Sequence, residues 1–504
     1  MSFYDTIITH LPGIQEAKGY LSFKSRLKWT GIILLLYLIM GQISMYGIEP
    51  SARAQFQFIE LILGSSFGSL ITLGIGPIVT ASIILQLMVG SKIIPWDLKS
   101  TEGRKRFQGT QKLLAIVFAI FEAYAFVAFG AIAPASPEFI PILILQAAVG
   151  AIIILFMDEV ISKYGIGSGV SLFIAAGVTK TIFVRAFNPL TPEGQTIPAG
   201  LIPQFISLMG IGEVYQATLA LLPIVATIIV FAIVVYINSI KVEIPLAFTS
   251  FRGFSRRWPL NLIYTSNIPV ILVAALLANI QLMGTIGGKI TEEGLKCGFL
   301  GCFDSGGSPV SGIALFTTPP NTLPIQVMFL VILAIVFLVA ILVFYFKMKK
   351  ASRFIIGSII VGVILSLLIT FSTTGMPTGL ELLRAMSYLI ILTGGAVIFS
   401  IFWVNTSGMD SRSVADQIEG MGMQLPGFRR DPRIVQQVLD RYIPTLAIIS
   451  GLFIGLLAAV ADFTAALGTG TGILLTVMIV HNLYEQIATR YVEDMNPSLR
   501  KFFE

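Results

Sequence analysis

One acidic residue, Glu122, lies in the middle of the long apolar stretch Leu113–Ala133. A carboxylate is costly inside a bilayer, so a residue of this kind usually faces a polar partner or water. It could carry protons for a coupled transporter, or it could be a neutral, hydrogen-bonded side chain that holds helices together. Because no His or Asp lies beside it, a proton relay is the weaker of these two interpretations.

Other reactive side chains are sparse. Cys297 and Cys302 are the only cysteines, and a disulfide between them suits an oxidising compartment or a thermophile, with two free thiols as the alternative. The two histidines, His10 and His481, are far from them in the sequence, so no zinc site is predicted. No phosphate-binding loop or catalytic constellation occurs in the sequence. We therefore expect neither an enzyme nor a bound metal or cofactor.

A third feature is a broken apolar segment, Leu70–Gln86, with the sequence LITLGIGPIVTASIILQ. Gly74, Gly76 and Pro77 interrupt it, because Gly lowers helix stability and Pro removes a backbone donor. In lipid, such a break persists only where neighbouring protein or a water-filled cavity satisfies the freed backbone groups. A discontinuous span is therefore typical of the pathway of a transport protein. We expect a short half-helix upstream, a loop, and then a full helix from about Gly76 to Val89.

The composition requires that the elements carrying these residues lie in a membrane. Of 504 residues, 55% are hydrophobic and 12% are charged, and the mean hydropathy is +0.87. A helical span uses about 20 apolar residues, so the chain reads as one polytopic, all-α domain over residues 1–504. We predict twelve spans: Trp29–Gly47, the broken second span, Leu113–Ala133, Phe139–Val160, Val170–Phe187, Ala217–Ile240, Leu262–Met283, Leu323–Phe346, Phe354–Phe371, Leu383–Val404, Ile443–Leu467 and Gly472–Thr489.

Basic residues are concentrated in alternate loops. The predicted inner loops are Lys92–Lys112, Lys241–Leu260, Lys347–Arg353 and Asn405–Arg441, whereas the long outer loop that ends near Gln216 carries no Lys or Arg. Loops rich in Lys and Arg stay in the cytoplasm. We therefore expect both termini to be cytoplasmic in a multi-pass protein of the cell membrane, with the endoplasmic reticulum membrane as the alternative.

Six segments, taken in order, resemble the SecY family, the protein-conducting channel of the Sec translocon, and its archaeal members most closely. They are LITLGIGPIVTASIILQ, KYGIGSGVSLFIAAG, VEIPLA, SNIPVI, PGFRRDP and GTGTGILLT. The resemblance implies two pseudo-symmetric, inverted halves, 1–187 and 217–504, around a pore for unfolded polypeptides. It also implies lateral release of hydrophobic segments into the bilayer. The family pattern has ten spans, so we interpret 323–371 as an inserted helical hairpin.

Aliphatic pairs mark the expected constriction of the pore. Ile75 and Val79 are four residues apart and therefore share one helix face, and Val170 and Ile174 repeat that spacing. An aliphatic constriction can hold back ions by dewetting. The alternative is that these residues are ordinary lipid-facing or core aliphatics. The resemblance implies a pore ring of six residues: Ile75, Val79, Val170, Ile174, Ile271 and Leu475.

The resemblance also gives Glu122 a place. The resemblance implies a polar cluster of Thr80, Glu122 and Asn279 at the lateral gate. This cluster would tune how readily the gate opens for an apolar signal sequence. A plug would lie on the outer side of the ring. The resemblance assigns it to eleven residues: Gln57, Phe58, Ile59, Glu60, Leu61, Ile62, Leu63, Gly64, Ser65, Ser66 and Phe67.

Arginines in two inner loops form the expected partner surface. Arginine suits phosphate recognition, and the resemblance implies docking of the ribosome through rRNA phosphates. The alternative is contact with anionic membrane lipid. The residues concerned are Arg252, Arg256, Arg257, Arg429 and Arg430. The resemblance further implies SecE-type and Secβ-type small membrane subunits as partners, and signal sequences and nascent polypeptides as cargo.

Two rival functions come from other classes of protein. An ion-coupled secondary transporter also uses broken helices and inverted repeats. Such a transporter should carry several ionisable residues near the middle of the membrane, where this sequence shows Glu122 almost alone. A purely structural scaffold subunit is the third interpretation, and the broken second span argues against it.

Overall fold

The computed structural model describes most of the chain in two compact units. One unit comprises Met1–Val178, Ala278–Gly312 and Ile479–Glu504, and the other comprises Thr179–Leu277 and Ile313–Met478. The described residues are 11–15, 17, 19, 21–48, 68–90, 93–96, 100–128, 132, 134–191, 196–248, 255–265, 268–285, 289–290, 295–304, 309–320, 322–345, 361–371, 374–420, 423–424 and 432–495. The backbone alone is described at 87, 90, 245–248, 255–257, 278–279, 282–285, 289–290, 296, 339–345, 406, 423–424, 432 and 489–495.

The first unit is built on antiparallel apolar helices. Its helices α2 and α3, α3 and α4, and α1 and α4 pack in pairs. Tyr37 of α1 stacks on Phe173 of α5, with 4.7 Å between ring centroids, and both rings are buried. Along residues 1–187 the helices are α1 (Phe23–Met40), α2 (Gly76–Gly90), α3 (Thr101–Ala128), α4 (Ile140–Tyr164) and α5 (Gly169–Phe187).

The second predicted span is broken where the sequence indicated. Successive turns lead from Ser69 to Gly76, with Gly74 at a φ of 55°, and α2 begins at Gly76. Antiparallel bridging of Ser44 to Ser69 ties these turns to the end of the first span. The half-helix predicted upstream lies outside the described residues.

Two predicted inner loops are shorter than the sequence analysis indicated. Helix α3 begins at Thr101, within the predicted loop Lys92–Lys112, and the hydroxyl of Ser100 accepts from the backbone N–H of Gly103. Helix α14 (Pro432–Phe463) likewise begins inside the predicted loop Asn405–Arg441. Hydropathy marks where a helix enters the apolar phase, whereas a capped helix continues into water with polar side chains.

The second unit packs α7 against α10 and α14, and α12 against α14, around one large apolar core. The predicted hairpin contributes to that core, because Ile325, Met328 and Leu333 of α10 are buried in it. Along residues 201–495 the helices are α6 (Leu201–Ile211), α7 (Val214–Asn238), α8 (Ile268–Thr285), α9 (Ile313–Phe316), α10 (Leu323–Tyr345), α11 (Val361–Phe371), α12 (Gly379–Thr406), α13 (Ser411–Gly420), α14 and α15 (Gly470–Met495).

Two small sheets occupy connections that the sequence analysis interpreted as loops. In the first, β1 (Lys241–Phe248) pairs antiparallel with β2 (Ser255–Asn261) and with β7 (Met423–Gln424). The second has the order β3-β4-β5-β6. Its strands are β3 (Lys289–Ile290), β4 (Lys296–Gly298), β5 (Gly301–Phe303) and β6 (Pro309–Gly312).

The outer faces of the helices are apolar. Among the described residues, six helices are long and apolar enough to cross a membrane, and five shorter apolar helices accompany them. Large side chains such as Phe121, Leu145 and Ile228 are more than half exposed. An exposed surface of this extent is costly in water and stable against lipid, so the chain is a multi-pass membrane protein.

Candidate functional site

The predicted ring residues lie at the starts or within the bodies of four helices. Ile75 immediately precedes α2 and accepts the N–H of Val79 at 3.0 Å, so these two share one helical turn as predicted from their spacing. Val170 and Ile174 lie in the first two turns of α5, in the same unit. Ile271 of α8 and Leu475 of α15 belong to the other unit.

Burial separates these residues from the lipid-facing aliphatics. Ile75 and Ile174 are each 1% exposed and Leu475 is 2% exposed. Val79, Val170 and Ile271 are half-buried. Burial of this degree excludes a lipid-facing position for the first three, and it leaves a core position or a closed constriction as the remaining interpretations.

Two members of the predicted polar cluster meet directly. The hydroxyl of Thr80 on α2 donates to Oε1 of Glu122 on α3 at 3.2 Å. The two helices pack against each other, with Thr80 in the second turn of α2 and Glu122 six residues before the end of α3. The backbone of Asn279 lies in α8, and its side chain is outside the described part of the chain.

A second polar contact between α2 and α3 was not predicted. Ser82 accepts from the amide of Gln111 at 3.1 Å and from that of Gln86 at 3.3 Å. With Thr80 and Glu122, these side chains give the α2–α3 interface the kind of polar contacts that link membrane helices. Gln86 lies at the end of the apolar segment Leu70–Gln86, and that position was an available signal, whereas Gln111 lies in the predicted basic loop Lys92–Lys112.

The remaining predicted sites are described in part. The plug residues and Arg252, Arg429 and Arg430 lie outside the described residues, whereas Arg256 and Arg257 lie in β2 with the backbone alone described. Cys297 of β4 and Cys302 of β5 are directly opposed in the second sheet and form a disulfide. Among the described side chains, no group of three or more His, Cys, Asp or Glu could hold a metal ion.

Sequence analysis missed two carboxylates that bind helix starts. Asp158 of α4 accepts from the N–H of Val170, and Asp462 of α14 accepts from the N–H of Gly470. Each carboxylate precedes a glycine-rich turn in the sequence. That combination of an acid at the end of an apolar span and a following glycine-rich turn was the signal that could have identified them.

Comparison with known proteins gives matches over nearly the whole chain. The SecY family model matches residues 69–484, and the model for the plug domain of Sec61p matches residues 35–68. The protein translocase subunit SecY of Methanothermobacter thermautotrophicus is 42% identical, over 99% of this chain and 98% of that protein. The corresponding subunit of Methanocaldococcus jannaschii is 39% identical, over 98% of each chain.

Solved structures give the same result for the fold. A structure described as that of a protein-conducting channel matches with a TM-score of 0.75 and 39% identity, covering 97% of each chain. Sec61 in the canine ribosome–channel complex from the endoplasmic reticulum matches with a TM-score of 0.72 and 39% identity, again over 97% of each chain. None of these relatives is a secondary transporter. The chain therefore belongs to the SecY family and is a pore-forming subunit of a protein translocon.

Proposed function

We propose that this chain lets unfolded polypeptides cross the membrane through its own pore and releases hydrophobic segments sideways into the bilayer. The observation that carries the proposal is the pair of adjoining family matches, SecY over 69–484 and the plug domain over 35–68. The broken span at Gly74–Pro77 supports it, because discontinuous helices line pathways in transport proteins.

The ring, the gate and the plug are parts of this proposal. The burial of Ile75, Ile174 and Leu475 supports a closed aliphatic constriction, which would exclude ions by dewetting. The Thr80–Glu122 hydrogen bond supports the polar cluster at the lateral gate, and this bond would have to break or rearrange when the gate opens. Residues 57–67 fall within the part of the chain that matches the plug domain, which supports their assignment as the plug.

We assign the halves 1–187 and 217–504 and the inserted hairpin 323–371 on the order of the family motifs and the count of apolar segments. Lys and Arg in alternate loops support a cytoplasmic position for both termini. The cell membrane is the proposed location, because the most similar curated relatives described above are archaeal.

A SecE-type and a Secβ-type subunit are the proposed membrane partners, and the ribosome is the proposed cytoplasmic partner. The structural match to Sec61 in a ribosome–channel complex supports the ribosome. Arg252, Arg256, Arg257, Arg429 and Arg430 would supply cationic contacts to rRNA phosphates, with anionic lipid as the competing ligand.

The function can be tested in proteoliposomes that contain this chain with its small subunits. A secretory polypeptide with a signal sequence should become protease-protected in the lumen. The same polypeptide with charged residues in its apolar signal segment should remain accessible to protease. Equal protection of both polypeptides, or protection of neither while coupled uptake of a small solute occurs, would contradict the proposal.

The ribosome contact predicts a difference between two charge reversals. Arg429→Glu should weaken ribosome binding strongly, whereas Lys349→Glu in the hairpin turn should change it little, because a specific phosphate contact is lost only in the first. Binding measured by co-sedimentation should fall with rising salt in the parent chain. Equal losses for both substitutions would indicate a diffuse charge effect instead.

A further inference from the structure

We infer that Asp158 and Asp462 are positioning residues. They hold α5 and α15 at the axial positions at which their ring residues close the pore. The inference rests on the proposed function, because Val170, Ile174 and Leu475 form the ring only if that function is correct. It concerns two side chains that are not themselves members of the ring. They act through the first backbone amides of the two helices.

Asp158 binds the backbone of a ring residue directly. Its Oδ1 accepts from the N–H of Val170 at 2.9 Å, across twelve positions in the sequence. Val170 is the second residue of α5, so its N–H has no acceptor within the helix. Gly169 permits this approach, because a Cβ there would lie 2.6 Å from Cα of Asp158. The carboxylate and the glycine together fix where α5 starts.

Asp462 makes the equivalent contact at the start of α15. Its Oδ1 accepts from the N–H of Gly470, the first residue of α15, at 2.7 Å. Its Oδ2 accepts from the hydroxyl of Tyr388 at 2.7 Å, and both side chains are buried. A Cβ at position 470 would lie 2.2 Å from the carbonyl oxygen of Ala458. The start of α15 is therefore fixed against α14, and through Tyr388 against α12.

The two contacts have the same arrangement of groups, and each lies in a different unit of the chain. In each, a carboxylate near the end of one helix accepts from the first amides of the next, across a turn with Gly at alternate positions, GIGSG at 165–169 and GTGTG at 468–472. A carboxylate is favourable at the positive end of a helix dipole. A carboxylate within a membrane-spanning helix is costly unless it has polar partners, and the first amides of α5 and α15 are such partners.

The axial position of a helix determines where its ring residues lie. Sliding or unwinding a helix by one residue moves its side chains by about 1.5 Å along the axis and turns them by roughly 100°. A fixed first amide prevents this. Without the carboxylate, the first turn can open, and Val170 and Ile174, or Leu475 on the other helix, leave the positions at which the constriction is dry.

Alanine and asparagine variants test the inference in the full chain with its small subunits. Asp158→Ala and Asp462→Ala remove the acceptor, whereas Asp158→Asn and Asp462→Asn keep an oxygen that can accept the same amide. Glu381→Ala is the matched control, since Glu381 accepts from the N–H of Thr378 at 2.8 Å at the start of α12, which carries no ring residue. Each variant is examined by hydrogen exchange in the full chain. Ion conductance in planar bilayers is measured in the same variant with residues 57–67 deleted, since the plug would mask a leak.

The alanine variants should speed hydrogen exchange at the start of α5 or α15 by about five- to thirtyfold, as expected for loss of a helix cap. They should also raise resting ion conductance, while the asparagine variants and Glu381→Ala stay near the parent. Faster exchange with unchanged conductance would reduce both carboxylates to structural caps and overturn the inference. Unchanged hydrogen exchange would also overturn the inference, because it would show that the carboxylates do not hold the helix starts in place.

A milder variant covers the case in which the alanine variants do not accumulate. Tyr388→Phe removes the hydroxyl that holds Asp462 and keeps the aromatic ring, so exchange at the start of α15 and conductance should both rise by a smaller factor. Hydrogen exchange and ion conductance equal to those of the parent chain would overturn the inference for Asp462. Ile75→Asn with Ile174→Asn is measured in parallel, also in the chain that lacks residues 57–67. A leak in that variant alone refutes only the positioning role, whereas no leak in it refutes the pore assignment.

Discussion

At the scale of single residues, the contact between Thr80 and Glu122 is the most informative one in the first unit. A hydroxyl and a carboxyl group meet at 3.2 Å between the apolar parts of the two helices. In a bilayer, neither group can exchange its partner for water without a conformational change. The contact is therefore suited to hold α2 and α3 together at rest and to resist their separation.

Replacing Thr80 by Val should destabilise the α2–α3 pair by about 0.5–1 kcal/mol, the typical value of one hydrogen bond between membrane helices. Val has nearly the shape of Thr but no hydroxyl, so Glu122 loses its donor. The measurement is thermal unfolding of the purified complex in detergent. Thr80→Ser keeps the hydroxyl and is the control. Equal stability of the Val and Ser variants would show that the hydrogen bond contributes nothing.

The sequence alone predicted Glu122 as a polar residue that needs a partner, but it did not identify Ser82, Gln111 or Asp462. Glu122 stands out because it is charged in a long apolar run. Gln and Ser are tolerated in apolar helices and have no fixed spacing, so their pairing depends on the register between helices. Asp462 lies inside the predicted span Ile443–Leu467, five residues from its end, and its partners Tyr388 and Gly470 are brought to it only by the packing of separate helices.

At the scale of elements, the connection from β2 to α8 is tied to the loop after α12 by Tyr264. Its hydroxyl donates to the carbonyl oxygen of Met409 at 2.7 Å. Burial, and then the negative charge of Asp410, raise the pKa of Tyr264 to about 12. Tyr264 precedes α8, which begins at Ile268 and not at the predicted Leu262, and it lies in the same core as Val414 and Leu439.

The raised pKa gives the second unit a pH-dependent stability. Between the ordinary tyrosine pKa of about 10 and the folded-state value of about 12, the unfolded chain has lost the proton that the folded chain keeps. The contribution of Tyr264 is therefore full below pH 10 and lost between pH 10 and pH 12. Tyr264→Phe should show a smaller fall in unfolding temperature across that window. Identical pH profiles for parent and variant would contradict this.

The hairpin is an insertion in the family pattern by our interpretation, yet its first helix is part of the core. Phe329 of α10 packs on the buried ring of Phe463, with 4.6 Å between centroids. Phe329→Ala should cost about 2 kcal/mol, below the usual loss for a fully buried Phe because Phe329 is half-buried. Leu338→Ala, at an exposed position of the same helix, is the control for thermal unfolding. Equal losses for the two variants would mean that α10 lies outside the core.

Spans could be predicted from the sequence because each is a long apolar run, and most predicted ends lie within a few residues of the observed ones. The strands could not be predicted. Strands β3 to β6 have two to four residues, too few for a period to appear, and β1 pairs with β7 from a segment far along the chain. Helix α6 was missed because Pro203 and the flanking Gly200 and Gly212 resemble a loop.

At the scale of the whole molecule, the family matches and the apolar helices make this chain a multi-pass, pore-forming translocon subunit. The function of such a protein depends on a resting pore that is closed to ions although it can open for a polypeptide. The six ring residues would provide that closure. Three of them are buried, and none of the six carries a group that could hold water or an ion.

Ion conductance of ring variants in planar bilayers is the most direct test of this account. Ile75→Asn with Ile174→Asn supplies hydrogen-bond partners inside the constriction, and deletion of residues 57–67 removes a plug that would mask a leak. We expect a clear rise in resting conductance above that of the plug deletion alone. The control places the same change at Leu35 and Leu36, which are exposed on α1. Equal conductance of ring and control variants would contradict the assignment of the pore.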